Sequence, residues 1–439
     1  MKLAKKVLAV VLAVLFVASA FVGCSNGGAD NSKKGESAEI IAREPITSDV
    51  QIPADFKIGL ICLHDENSTY DNNFIQGLKS AAEGMGLTED QVVIKTNIGE
   101  DKACYDAAED LAKNVGCKVI FADSFGHESF LKQAAQKFPD VQFCHATGTS
   151  AKFAGLDNFH NAFAAIYEGR YVAGVAAGIK LNAMIEEGKI TPEQAIIGYV
   201  GAFTYAEVVS GMTSFFLGAR SVCPSATMKV TYTGSWYDQA KEQEAATALI
   251  EKEKCVLISQ HADSMGAPTA CEKAGVPNVS YNGSTESACP ETFIVSSRIN
   301  WAPYYEHCIK ALQEGKEIET DFVGTVADNS VCLTDFGAKA PAAKTVESVE
   351  AAKKGLADGS IHVFDTSTFT VTVTADKNVN AKVDADGHLT SYMADVNSDA
   401  NYEADTEVVA DGYFHESEYR SAPYFDLQID GIELLDVAF

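Results

Sequence analysis

The sequence predicts an α/β protein of two lobes, each a parallel sheet with helices on both faces. Two observations predict it: short apolar runs alternate with helical stretches, and that alternation stops and then restarts. In the first series Phe56 to Leu63 is an apolar run, followed by a helical stretch around Asn73 to Gly84. Val92 to Lys95 then precedes a helix around Cys104 to Lys113, and Lys118–Ala122, Glu128–Lys137 and Val141–His145 continue the pattern. A long amphipathic segment, Ala162 to Glu187, ends this series. Ile196 to Val200 opens the second, with Val208–Gly218 helical, Met228–Thr233 a strand, Ala240–Lys252 a helix, Val256–Ser259 a strand and Met265–Ala274 a helix. Two such series imply two Rossmann-like lobes facing a cleft and joined by a hinge. The first spans mainly 54–189, the second mainly 190–283, and later segments to 365 cross between them. Ligands of open α/β sheets sit beyond the carboxyl ends of the strands, so the segments after each strand should line the cleft.

The N-terminus has a different character. Lys2, Lys5 and Lys6 precede an apolar run from Val7 to Phe21, closed by Val22-Gly23-Cys24, which reads as a signal peptide over 1–24. A cysteine after Gly23 resembles the bacterial lipobox, so Cys24 is expected to carry lipid and become the mature N-terminus. Acyl chains contribute about 0.8 kcal/mol per buried CH₂, enough in combination to hold a protein at a membrane surface. Residues 25–53 are rich in Gly, Ser, Asn, Lys and Glu and read as a flexible tether. The expected location is the extracytoplasmic face of the cell membrane, held through the lipid anchor only.

A formal charge of -27 repels phosphate backbones, which excludes nucleic acid as a natural partner. Beyond Cys24 the cysteines sit singly inside apolar runs such as Phe143-Cys144-His145, with no C-x-x-C pair, so buried thiols are expected rather than a disulfide framework. The nine histidines lack zinc-ligand spacing, and no metal or cofactor is expected. Residues 366–439 read as an acidic, β-rich extension, with Thr368–Thr374 alternating as an antiparallel strand would. Asp384-Ala385-Asp386-Gly387 opens like a calcium loop, but His388 stands at the third ligand position, so a turn is expected.

The strand exits carry the chemistry. They hold His64 to Asn73, Asp123 to Glu128, Ala202 to Tyr205, Gly234 to Asp238, Gln260 to Ser264 and Tyr281 to Gly283. Aromatic faces mixed with amides and carboxylates suit a flat, hydrogen-bonding ligand. Catalytic signatures are missing: no G-x-S-x-G, Walker loop, H-E-x-x-H or G-x-G-x-x-G occurs, and no enzyme is expected. His261 with Asp263 could form an acid–base pair, but both would serve equally as hydrogen bonders to a ligand.

These stretches, with Tyr167-Glu168-Gly169-Arg170-Tyr171-Val172-Ala173-Gly174, Leu217 to Val222 and Trp301-Ala302-Pro303-Tyr304-Tyr305, resemble the basic membrane lipoprotein family of substrate-binding proteins. The likeness runs from about residue 54 to at least 330. It implies a type I periplasmic-binding fold closing by hinge motion, a small-molecule purine ligand, and ABC permease subunits as partners. By the resemblance, Tyr70 and Trp236 stack a purine base or nucleoside and Phe125 completes the apolar wall. Asp71, Asp263 and Asn282 read its edge, and Trp301 falls in the cleft or hinge. Where nucleoside-binding relatives have an acid and a lysine, this chain has Asn282-Gly283-Ser284-Thr285 and Arg298-Ile299-Asn300. Another small solute, a sugar or amino acid, or a ligand-sensing surface role, is the alternative.

Overall fold

A computed structural model describes residues 51–396 and 403–438. The signal segment, Cys24 and nearly all of the tether lie outside the described residues.

In the first lobe β1 (Ile58–Ile61), β2 (Val92–Lys95), β3 (Val119–Ala122), β4 (Gln142–Ala146) and β5 (Phe159–Ala164) pair in parallel, in the order β5-β4-β3-β1-β2. Every residue of β1 and β3 is buried, as a central strand covered on both faces requires. The connections carry α1 (Thr69–Gly84), α2 (Lys102–Asp110) and α3 (Glu128–Lys137), with a single turn, α4 (Ala151–Ala154), before β5.

The expected amphipathic segment from Ala162 is in fact two elements. Its first residues complete β5, and α5 (Ile166–Glu186) follows. Nor is α5 one-sided, because it is enclosed by the second lobe and packs closely on α6 (Ala206–Val222). A Cβ at Gly174 would lie 2.0 Å from the Phe215 carbonyl oxygen, and one at Gly218 2.0 Å from that of Tyr171. Only glycine permits backbones this close.

The second sheet holds β6 (Ile196–Gly201), β7 (Thr227–Tyr232), β8 (Leu257–Gln260), β9 (Asn278–Tyr281) and β10 (Phe293–Ile299), linked through α6, α7 (Gln239–Glu251) and α8 (Gly266–Ala274). The chain then recrosses. α9 (Ala302–Glu314) packs on α1, and β11 (Asp321–Gly324) joins β5 at the edge of the first sheet. β12 (Val331–Leu333) returns antiparallel to β10, and α10 (Thr345–Ala357) packs on α5. Such crossings form the hinge of a two-lobed protein.

The extension is no separate body. β13 (Ala381–Val383) and β14 (Leu389–Ala394) form a hairpin, to which β15 (Thr406–Glu407) adds, and β16 (Val409–Ala410) pairs with β17 (Tyr413–Phe414). Asp384 Oδ1 accepts from the backbone of Asp386 and His388, so the Asp-Ala-Asp-Gly run is a hairpin turn. β18 (Ile432–Leu434) then pairs in parallel with β7 as the edge of the second sheet. Phe364 stacks on Phe425 at 4.2 Å, and both belong to the hydrophobic core of the second lobe.

The expected strand Thr368–Thr374 does not form a ladder. Phe369 and Val371 do point inward, but Val371 makes only an isolated bridge to Ile429. Thr370 and Thr372 instead hydrogen-bond both oxygens of Asp430, at 2.7 and 2.9 Å. The alternation marks an extended chain with one buried side, held by these side-chain bonds and by single backbone bonds, from Val371 N–H to Gly387 and from Asp430 N–H to Thr370, in place of a ladder. Among the described residues all ten cysteines are free thiols, nine of them buried.

Candidate ligand-binding site between the lobes

The strand exits of the two sheets line a cavity of about 390 Å³. That lies toward the small end of the 300–1,000 Å³ common for small-molecule sites. The first lobe contributes Leu63, His64, Tyr70, Asp71, Ser124, Phe125, Thr147 and Thr149 to its wall; the second contributes Thr204 to Glu207, Trp236, His261, Asp263 and Asn282.

On the first lobe, Ser68 caps α1 by accepting from the Asp71 backbone, and its hydroxyl donates to Asp71 Oδ2 at 2.6 Å. His64 N–H donates to Asp71 Oδ1 at 2.8 Å. Asp71 therefore anchors its own loop as well as lining the cavity. Burial pushes its carboxyl up, but hydrogen bonds from His64 and Ser68 outweigh this and hold it below the usual value. The Tyr70 hydroxyl donates to the Asp123 carbonyl at 2.7 Å, and its ring leans on Phe74.

Asp123, just after β3, lies beneath this corner. Its Oδ1 accepts from Leu63 N–H, whereas Oδ2 finds no donor. Burial first, and the Asp71 charge second, push its pKa well above the ordinary carboxylate value. Cys62 completes a buried trio whose ligating atoms lie within 4.8 Å of one another. Burial also raises the Cys62 thiol. A thiol and a carboxyl that are both pushed toward their neutral forms suit a cation poorly.

On the second lobe Trp236 follows β7 and meets the Phe203 ring edge-on at 5.0 Å, while Phe203 stacks on Tyr205 at 5.1 Å. His261 Nε2 pairs with Glu207 at 2.7 Å, rather than with Asp263. Asp263 accepts instead from the Asn282 side-chain amide at 2.8 Å, and burial raises its pKa well above the ordinary value. Asn282 achieves this from a left-handed backbone, φ 65°, which asparagine tolerates. Behind them Arg170 is fully buried, 4.4 Å from the Tyr281 ring centre and donating to Tyr199 and the Gln260 carbonyl.

The lobes touch around the cavity. Thr69 Oγ1 donates to the Asp263 carbonyl at 3.1 Å, Phe125 approaches Tyr205 at 5.9 Å, and His64 approaches Tyr237 at 5.6 Å.

Six of the seven expected ligand residues thus meet at one cavity: Tyr70, Asp71, Phe125, Trp236, Asp263 and Asn282. Trp301 is a correction. It is buried at the N-terminus of α9, stacked on Phe74 at 4.2 Å, and belongs to the core of the first lobe. His64, Tyr205 and Glu207 line the cavity without being among the expected ligand residues, and His261, expected only as a possible partner of Asp263 or hydrogen bonder to a ligand, joins them. Of these, all but Glu207 stand in strand-exit stretches, and Glu207 is on the first turn of α6. Arg420, Ala422, Pro423 and Asp426 of the extension also line the cavity, with no signal in the sequence to announce them.

A family model described as the PnrA-like substrate-binding protein of ABC transporters matches residues 61–328. A purine-binding protein of Brucella abortus is 34% identical over 262 residues, covering 59% of this chain and 69% of that protein. A Haloferax volcanii protein, whose given name is that of an ABC transporter glucose-binding protein, is 35% identical over 219 residues, 50% of this chain and 52% of its own length. Among solved structures, an ABC transporter solute-binding protein of Conexibacter woesei is similar in fold, with TM-score 0.58 at 19% identity over 70% of this chain and 98% of that one. One from Aeropyrum pernix gives TM-score 0.57 at 16% identity over 73% and 95%.

Proposed function

This chain belongs to the PnrA-like family of ABC transporter substrate-binding proteins, and we propose that it captures a purine nucleobase or nucleoside in the cavity between its lobes. The observation that carries this reading is a cavity walled by Tyr70 and Phe125 from one lobe and Tyr205 and Trp236 from the other. A planar heterocycle offers two π-faces to such walls and a rim of donors and acceptors to Asp71, Asp263 and Asn282. The likeness to a protein named as purine-binding supports the same ligand. A base of about ten heavy atoms, at no more than about -1.5 kcal/mol each, can reach the roughly -8 kcal/mol of micromolar binding.

Calorimetry with adenine, hypoxanthine, guanine, adenosine and inosine tests the proposal. Micromolar binding of at least one supports it, and no binding of any by folded protein discards it. The glucose-binding name of the second relative makes a sugar the other reading, and glucose belongs in the same titration.

Delivery to ABC permease subunits follows from the family. Among the described residues no helix is long and apolar enough to cross a membrane. We assign attachment at the extracytoplasmic face to lipid on Cys24. Cys24→Ser should move the protein from the membrane fraction to the soluble one, and retention in the membrane would refute the anchor.

A further inference from the structure

The extension lies beyond the residues that match the family, 61–328, yet it reaches the cavity. Its segment from Tyr419 to Asp426 is fastened to both lobes. On the first, Lys152 donates to the Tyr419 carbonyl at 2.7 Å, and Ser421 N–H donates to Asp321 of β11 at 3.0 Å. On the second, Phe425 is fully buried in the lobe's core.

The polar residues of this segment differ in what they offer. Arg420 donates to three backbone carbonyls, those of Asp395, Ala422 and Pro423, at 3.0, 3.2 and 3.3 Å. Its guanidinium therefore shapes the loop. Asp426 is exposed on the cavity wall and receives a short hydrogen bond from the Tyr392 hydroxyl. The surrounding protein pushes this carboxyl up from its ordinary pKa, which makes its oxygens stronger acceptors.

We infer that Arg420 to Asp426 form a third wall of the ligand site and that the Asp426 carboxylate accepts a hydrogen bond from an N–H or O–H of the captured solute. The inference rests on the cavity being the ligand site, as proposed above. It makes the extension a determinant of which solute is held, because a ligand without a donor at that edge would take water from the carboxylate and give it no hydrogen bond in return.

The experiment compares wild type with Asp426→Ala and Asp426→Asn, titrated with adenine, guanine, hypoxanthine, adenosine and glucose. Unfolding is followed without solute as the control: Asp426→Ala strips the Tyr392 hydroxyl of its acceptor and should lower the folded-to-unfolded ratio roughly fivefold, about 1 kcal/mol of stability, whereas Asp426→Asn keeps an acceptor there and should cost less. The expected result is roughly ten- to hundredfold weaker capture by Asp426→Ala, as loss of a hydrogen bond to a charged group predicts. Tyr392→Phe, which keeps the carboxyl, should weaken capture less. Should the wild type bind a purine and both Asp426 variants match it within twofold, the third wall is refuted while the purine reading stands. Should glucose bind and no purine, the purine reading fails, and the same comparison on glucose decides the wall. If folded wild type binds none of the five, both are lost.

Discussion

The two jaws of the cavity are built on different principles. On the first lobe one ring, Tyr70, is pinned by its hydroxyl to the Asp123 carbonyl and backed by a column of Phe74 and Trp301. On the second, Trp236 belongs to a group with Phe203, Tyr205 and His261, whose rings lean on one another. The buried carboxyls differ likewise. Asp123 is paired with another acid, Asp71, and Asp263 with an amide, Asn282. The first jaw thus transmits its position from the core of its lobe, while the second holds position through neighbours at the surface of the cleft. Residues of one chemical type therefore differ in importance according to what stands behind them.

Trp301→Ala should have the largest effect and breaks the comparison if it does not. Removing a buried indole costs about 3–5 kcal/mol of stability and should also weaken capture by loosening Phe74 and Tyr70. Urea denaturation with calorimetry would report both, and Trp236→Ala should by contrast lower affinity with a much smaller loss of stability. Replacing Tyr70 and Trp236 together with alanine should cost about 3 kcal/mol of binding, roughly a hundredfold. Undiminished capture would show that neither jaw stacks the ligand.

The third test separates the acid pairs. Asp123 has a folded pKa above its unfolded one, so its stabilising contribution is full below the ordinary carboxylate range and is lost as pH rises through the raised value. Asp123→Asn keeps an acceptor for Leu63 and cannot ionise beside Asp71, so it should unfold at higher temperature than wild type at neutral and alkaline pH, with the gain vanishing in acid. An unchanged pH profile would show that Asp123 does not carry a raised pKa in the fold. The smallest effect is expected from Tyr70→Phe, which removes only the bond to Asp123 and should weaken stability by about 1 kcal/mol. A larger loss of binding would mean that the hydroxyl also touches the ligand.

How much of this was legible follows from the physics of each segment. Strand exits are local: a run such as Val119–Ala122 followed by Asp123-Ser124-Phe125 places those side chains at the cleft whatever the rest of the chain does. Trp301 fails the same reasoning because it follows a crossover, where the chain leaves one lobe and buries its next ring in the other. The end of α5 was readable, but its start was not, because Ala162 to Ala164 have apolar side chains suited to either a buried strand or a buried helix. Arg420 to Asp426 reach the cavity only through contacts with Lys152, Asp321 and the core of the second lobe, hundreds of residues away or nearly so, and no local pattern encodes such contacts.

The pairing of Ile432–Leu434 with β7 has a consequence for biogenesis. A polypeptide stopped short of residue 432 would present the bare backbone of Met228–Val230 to solvent, a template for intermolecular association. Truncated products, or chains still emerging from the ribosome, should therefore need chaperone cover that the finished molecule does not.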